Sequence, residues 1–399
     1  MLAGLRVLDA SDGVAGGYCT KLLADMGADV TKVEPPGAGD STRRTGPFAG
    51  DVPNPETSAP FLYLSAGKKS VTLDLERSPG QSIFRVLAGR ADIVVENFKP
   101  GVMAGLGLDY GTLHEANPGL IMASITYFGQ TGPYSSYEAC DLVAYAVSGY
   151  MYLTGDEDRE PLKAGGNQSG YQAGLAAAMA ITAALSYRDV AGEGQYIDVS
   201  AIEALASTFD GVCVFTMEER LGFVPTRAGT RLISREPHSP YPSNLLPCKD
   251  GWVHVHWSPS HPEGLAFLTG NPWLESDEVM GALRGHADEI DEALMEWLKD
   301  VPRDEVQALA QEVRVPFTKV QSIAEVMADP QNEASGFFAE AEHPVAGKLR
   351  YPASPISATD TRPKPRRAPL LGEHNEEVYS GLLGYALDDL SRLAEMGVI

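Results

Sequence analysis

Short apolar runs alternate with helix-length amphipathic stretches through the first third of the chain. LRVLDA reads as a strand, DGVAGG as a glycine turn, YCTKLLADMGA as an amphipathic helix and DVTKVE as a second strand, which together make a βαβ opening. KSVTLDL (69–75), ADIVVEN (91–97) and GLIMASITYFG (119–129) continue the strand series, and SPGQSIFRVLAGR supplies a helix between the first two. This alternation predicts an α/β fold with a parallel sheet, helices on its faces and a ligand site near the carboxyl ends of its strands. Between Gly170 and Leu185 the chain is rich in alanine and apolar all round, which marks a helix buried against other helices or across a subunit interface.

Beyond the second helix, around AIEALASTFDGVCVF, the stretch from about 225 to 245 is rich in Pro, Arg and Ser and reads as a linker. LLPCKDGWVHVHW reads as a hairpin turning at Asp250-Gly251. ADEIDEALMEWLKD and RDEVQALAQEV follow as helices whose acidic excess is a solvated face. TDTRPKPRRAPLLGEH is proline-rich and basic, the composition of an extended connector.

A chain of 399 residues with 44% apolar and 21% charged residues has material for one large domain or two moderate ones. Its net charge of −23 opposes nucleic acid and anionic membranes as partners. Arg43, Arg44, Lys68, Lys69 and Lys99 nevertheless cluster in the first quarter, where a small polyanion is expected to bind. Cys19, Cys140, Cys213 and Cys248 are scattered and read as buried thiols. With no leader-like N-terminus and no long apolar run, the expectation is a soluble cytoplasmic protein.

Several chemistries fail on spacing. Glu34 ends the second strand as a ribose-binding carboxylate would, but the turn is Gly13-x-x-Gly16-Gly17, not the dinucleotide pattern G-x-G-x-x-G. His254 and His256 share one strand face without a third ligand nearby, so they read as structural histidines and no metal is expected. No G-x-S-x-G elbow marks a serine hydrolase.

Longer phrases carry a resemblance over nearly the whole chain. The run from Gly16-Gly17-Tyr18-Cys19-Thr20 through LLADMGADVTKVEPPGAGDSTR is one, followed by GKKSVTLDL, VENFKPGVMAGLGLDY, NPGLIMASITYFGQTGPY, GEGQYIDVS, VPFTKVQSIAEVMADPQNEASGFF and APLLGEH. In this order they resemble the signature segments of family III CoA-transferases, which include formyl-CoA and carnitine-CoA transferases and the α-methylacyl-CoA racemases. The resemblance implies a Rossmann-like large domain formed by both chain ends (1–225, completed by a return segment 331–399), a smaller α+β domain (226–330) and an interlocked-ring dimer. It implies a coenzyme A thioester as substrate, no permanently bound cofactor, and transfer between an acyl-CoA and a carboxylic acid.

By the same resemblance Arg43 and Lys69 correspond to residues meeting the CoA phosphates, Asn97 and Phe98 to residues beside the adenine end, and Val14, Gln168 and Tyr171 to the acyl pocket. The chain departs from the family at Val14, where formyl-CoA transferase-like members carry glutamine, and at Gly17, where proline is usual. The larger departure is at Gly170, which stands where the family keeps the aspartate that attacks the thioester. Cys140 stands where the racemases keep a histidine before Asp141, and the nearest upstream carboxylates, Asp156, Asp158 and Glu160, lie in a polar loop. Ser169 and Cys140 are the first substitutes to consider. The favoured expectation is an acyl-CoA-binding subunit paired with an aspartate-bearing homologue, as in the benzylsuccinate CoA-transferases. Racemase-like chemistry through a substitute residue and a non-catalytic CoA-binding scaffold are the alternatives.

Overall fold

The computed structural model describes residues 1–208, 219–220, 222, 227, 229–231, 241–257, 264–358 and 366–399. Cys213 and most of the expected 225–245 linker lie outside the described residues. The chain divides into two compact units, Met1–Tyr150 with Lys163–Phe215 and Pro330–Ile399, and Met151–Leu162 with Thr216–Asp329. The short stretch Met151–Leu162, which holds Asp156, Asp158 and Glu160, clusters with the second unit.

The first unit is built on a six-stranded sheet in the order β3-β2-β1-β4-β5-β6, every neighbour parallel. Its strands are β1 (Arg6–Asp9), β2 (Asp29–Glu34), β3 (Lys69–Thr72), β4 (Ile93–Glu96), β5 (Ile121–Thr126) and β6 (Tyr196–Ser200). The strand order reverses between β1 and β4, so the loops after these strands part there and open a crevice. The inner strands are β-branched and buried on both faces, as helices above and below require; all four residues of β4 are buried. Sequence pattern found five of these strands and missed β6. An edge strand half-buried only at alternate positions has no apolar run to announce it. Gly194 leads into β6 because a Cβ there would sit 1.8 Å from the Leu120 carbonyl oxygen.

The helices used below are α1 (Val14–Asp25), α2 (Ala59–Leu64), α3 (Ser78–Ala88), α4 (Asp141–Val147), α5 (Gln168–Ala191) and α6 (Ala201–Ala206). One sheet face packs on α1 and α5 around Cys19, Leu23, Ile93, Ala123, Ala177 and Ile181. The other packs on α3 and on the C-terminal residues Val378, Tyr379 and Val398. The return of the C-terminus is fixed at β3, where His374 N–H donates to the Ser70 carbonyl at 2.9 Å and the Tyr379 hydroxyl to the Thr72 carbonyl at 2.7 Å.

Helix α1 corrects the sequence reading of DGVAGG as a turn. Only Asp12 and Gly13, the latter at φ 79°, are outside the helix; Val14 begins it, and Gly16 and Gly17 lie within it. Gly16 is there for closeness rather than flexibility, since a Cβ would fall 2.1 Å from that of Ser11. Gly174 of α5 plays the same part, its missing Cβ standing 2.5 Å from the Ala15 carbonyl oxygen. The two helices therefore cross almost backbone to backbone.

In the second unit β7 (Ser243–Cys248) and β8 (Gly251–His256) pair antiparallel, with β9 (Thr318–Lys319) beside β8. Cys248 pairs with Gly251, so the turn residues are Lys249 and Asp250. Helices α7 (Ala287–Leu298) and α8 (Arg303–Glu312) pack with the hairpin around Val253, Val255, Trp257, Ile290, Leu294 and Leu298. One acidic residue of α7 is not solvated as expected. Asp291 is buried and accepts from the Tyr241 hydroxyl at 2.7 Å and the Asn244 amide at 2.8 Å, because polar groups taken from water need partners.

Candidate functional site

A cavity of about 380 Å³ opens at the strand reversal of the first unit. Its walls are Asp12–Ala15 after β1, Asn97–Pro100 after β4, Ile125–Phe128 at the end of β5, and Ser169 with Gly170 from the first turn of α5. This is where an open parallel sheet offers backbone and side chains to a ligand.

The β1–α1 wall rests on a fully buried ionic network. Asp9 accepts from the Ser11 hydroxyl at 2.5 Å, the Thr20 hydroxyl at 2.6 Å and the Lys68 ammonium at 3.0 Å. Lys32 stands 3.7 Å from the same carboxylate and 2.7 Å from that of Asp40. Burial alone would push the Asp9 carboxyl up, but the two ammonium groups and the two hydroxyls outweigh it and hold it well below the usual carboxylate range. From this base the turn is tied twice more. Asp40 accepts from Gly13 N–H at 3.3 Å, and the Asp12 carboxylate accepts from Ser41 N–H at 2.6 Å.

Asn97 faces the cavity, yet both ends of its amide are engaged with the Asp12 backbone, accepting from N–H at 2.8 Å and donating to the carbonyl at 2.6 Å. It staples the loop after β4 to the loop after β1. Phe98 lines the wall beside it, and Lys99 pairs with Glu138 at the exposed mouth.

The opposite wall is the start of α5. Ser169 is buried and both its N–H, at 2.9 Å, and its hydroxyl, at 2.7 Å, donate to one oxygen of Asp141, the first residue of α4. The other Asp141 oxygen lies 2.8 Å from the Lys163 ammonium, which also donates to the carbonyls of Ala164 and Gly166. Asp141 thus does the capping that Asn167, at the N-cap, does not. Gly170 follows Ser169 directly and faces the cavity with no side chain. Burial, with Asp141 and Cys140 nearby, pushes the Tyr127 phenol above its ordinary value.

Residues 2–375 match the model of CoA-transferase family III. The chain belongs to that family. It is 32% identical to the succinyl-CoA–D-citramalate CoA-transferase of Chloroflexus aurantiacus over 100% of this chain and 98% of the relative. It is 31% identical to subunit BbsE of the succinyl-CoA:(R)-benzylsuccinate CoA-transferase of Thauera aromatica, over 99% and 97% of the two chains. Among solved structures, a CAIB/BAIF family protein from Brucella suis superposes with a TM-score of 0.83 at 32% identity, covering 96% of this chain and 99% of that one. The chemistry of a family III CoA-transferase is transfer of CoA between an acyl-CoA and a carboxylic acid, so a CoA thioester is substrate rather than resident cofactor.

Within this family III chain the site residues expected from sequence are only partly gathered. Val14, Asn97, Phe98, Ser169 and Gly170 line one cavity. Arg43 does not; it is fully buried, with its guanidinium forked onto Glu34 at 2.7 and 2.9 Å, held by Glu56 at 2.8 Å and laid on the Phe61 ring of α2 at 3.6 Å. Its donors are engaged by Glu34, Glu56 and, at 3.4 Å, the Pro369 carbonyl, so it is held away from the cavity, and Glu34 is likewise occupied by Arg43. Lys69 opens β3 and pairs with Asp29 and Glu377 at 3.0 and 3.1 Å, at the amino ends of the strands and hence the opposite end of the sheet from the cavity. Gln168 and Tyr171 are also separated from Val14, because successive helical residues turn by about 100°. They border a second hollow with Tyr18 and Tyr63, the Tyr18 and Tyr171 rings edge to face at 4.9 Å. Cys140 is exposed at the N-cap of α4 rather than buried as expected, whereas Cys19 is buried.

The network around Asp9 was missed in the sequence although it left a mark. Asp9 and Lys32 are buried charged residues of two adjacent strands, and they are direct partners in the parallel register. Opposite charges placed inside adjacent buried strands are costly unless paired.

Proposed function

We propose that this chain is the acyl-CoA-binding subunit of a family III CoA-transferase, and that a homologous subunit supplies the carboxylate nucleophile in an interlocked hetero-oligomer. The observation that carries this reading is Gly170. It lies in the first turn of α5, on the cavity wall at the strand reversal, where the family resemblance calls for the attacking aspartate. A glycine has no atom with which to form an acyl anhydride or an enzyme thioester.

Two further observations support it. Some relatives of similar identity are named as subunits of two-subunit enzymes, BbsE and the alpha and beta subunits of a succinyl-CoA–L-malate CoA-transferase. The carboxylates on the cavity wall are engaged elsewhere, Asp12 by Ser41 N–H and Glu138 by Lys99 at the exposed mouth. The Ser169 hydroxyl does meet a carboxylate, as an activated serine would, but Asp141 is already neutralised by Lys163 and serves as the cap of α5. Phe98 and the loops after β4 and β5 are the surfaces this reading offers to the ligand, while Asn97 staples two of the lining loops together and Arg43 acts from behind as a structural tie.

The test is a CoA-transfer assay on the purified chain, alone and with an aspartate-bearing homologue, using an acyl-CoA and a carboxylate acceptor. The expected outcome is no transfer by the chain alone and transfer by the pair, with hydroxylamine trapping the acyl group on the partner. Transfer by the chain alone at ordinary enzymatic rates would overturn the reading.

A further inference from the structure

The loop after β4 forms one wall of the cavity, and its first three residues are each held differently. Asn97 reaches sideways to the Asp12 backbone, and Lys99 pairs with Glu138 at the mouth. Phe98, between them, is held from behind. Its N–H donates at 2.7 Å to Oε2 of Glu96, the last residue of β4. The other Glu96 oxygen accepts from the Ser124 hydroxyl of β5, and the Tyr196 hydroxyl of β6 donates to Ser124 Oγ at 2.9 Å. A line of hydrogen bonds thus crosses three neighbouring strands and ends on the main chain of the cavity wall.

A buried carboxyl is costly without a counter-ion. Glu96 is 2% exposed, and Lys99, the cation that shares a small cavity of about 220 Å³ with it, is taken by Glu138. Burial pushes the Glu96 carboxyl above its ordinary value and Asp198 adds to this, against the hydrogen bonds from Ser124 and Phe98 that pull it down. The strand itself asks for no carboxyl here, since Ile93, Val94 and Val95 before it are apolar and buried. What a carboxyl does, and an apolar side chain cannot, is accept a loop N–H and a hydroxyl of the next strand at once. We propose that Glu96 is a positioning residue for ligand binding, setting the Asn97–Pro100 wall through the Phe98 N–H. This role rests on the reading that the cavity takes an acyl-CoA. The Phe98 ring packs on the core between the sheet and α3 and also lines the cavity, so a shift of its main chain moves an aromatic wall. Without the Glu96 carboxyl the loop keeps its two side ties and loses its central one, which loosens the wall and leaves the sheet intact.

Amide hydrogen exchange and acetyl-CoA calorimetry on the full chain test this, with Glu96→Ala, Glu96→Gln and Ser124→Ala. Glutamine keeps an acceptor for the Phe98 N–H and a donor for Ser124 Oγ, whereas alanine keeps neither. In Glu96→Ala, exchange across the loop after β4 is expected to quicken about ten-fold, the factor for one lost hydrogen bond, and acetyl-CoA affinity to fall at least about three-fold. The amides of β4 and β5 are expected to keep their native protection, and Glu96→Gln to return both readings close to native. If Glu96→Ala does not fold, Ser124→Ala takes its place; it removes one of the two ties on the carboxyl, and the same pattern is expected at smaller size. Native loop exchange or native affinity in the alanine variants would overturn the proposal. So would faster exchange spread equally over β4 and β5, which marks a structural loss, or a glutamine variant that rescues neither reading. An unaltered chain that does not bind acetyl-CoA refutes the proposed function instead, and the exchange pattern then decides alone whether Glu96 sets the wall.

Discussion

On its β1–α1 side the cavity wall hangs from a buried network in which Asp9, Lys32, Lys68 and Asp40 neutralise one another and Ser11 and Thr20 satisfy what remains. On its α5 side the wall hangs from a single carboxylate, Asp141, with one lysine behind it. Both hold a turn that faces the ligand, but the first has many mutually supporting partners and the second has few. A wall of the first kind breaks as a unit when one charge is removed. A wall of the second kind can be loosened without unfolding the sheet beneath it, which makes the start of α5 the place where the family's chemistry can be altered while the fold survives.

The largest effect is expected from Asp9→Asn, which leaves two buried ammonium groups facing a neutral amide. A loss of about 3–5 kcal/mol in urea unfolding is expected, the usual result of removing one partner of a buried ion pair. Acid gives a second reading of the same wall. Asp9 lies below its ordinary value in the folded chain, so its stabilisation is present above the unfolded-state value of about 3.9 and lost as pH falls through it toward the folded value. A flat stability profile between about pH 5 and pH 3 would contradict the network.

A smaller effect is expected from Asp141→Asn. The hydrogen bonds from Ser169 are weakened and Lys163 loses its counter-ion, for a cost of about 1.5–3 kcal/mol. Acyl-CoA affinity should fall with it, because the first turn of α5 lines the cavity. Unchanged affinity would show that this wall does not meet the ligand.

The smallest effect is expected from Lys69→Ala. Its pairs with Asp29 and Glu377 are partly solvated, and such bridges contribute about 0–1 kcal/mol. Acyl-CoA affinity should not change, since the residue lies at the far end of the sheet. A marked loss in calorimetry would show that the phosphates reach the amino ends of the strands.

Much of the first unit was legible because its strands are short runs of buried β-branched residues and α3 carries one apolar face; β1 to β5 and α3 follow from periodicity, and α5 from an alanine-rich composition that is apolar all round. The expectation of a ligand site near the carboxyl ends of the strands follows from the alternation of strand and helix, whereas the reversal between β1 and β4 is known only from the strand order. The sequence also determined that position 170 is a glycine in a helix and that Asp9 and Lys32 are charges within predicted strands. Only the tertiary structure decided what faces what. Arg43 and Lys69 share a basic quarter of the chain, yet one is buried on Glu34 and the other opens β3 at the far end of the sheet. Gln168 and Gly170 sit two residues apart and border different hollows, because helical rotation and the approach of α1 assign each its side. Charge and motif are properties of a residue and its neighbours in sequence, whereas free donors, room for a Cβ and the direction of a side chain depend on atoms brought together from far along the chain.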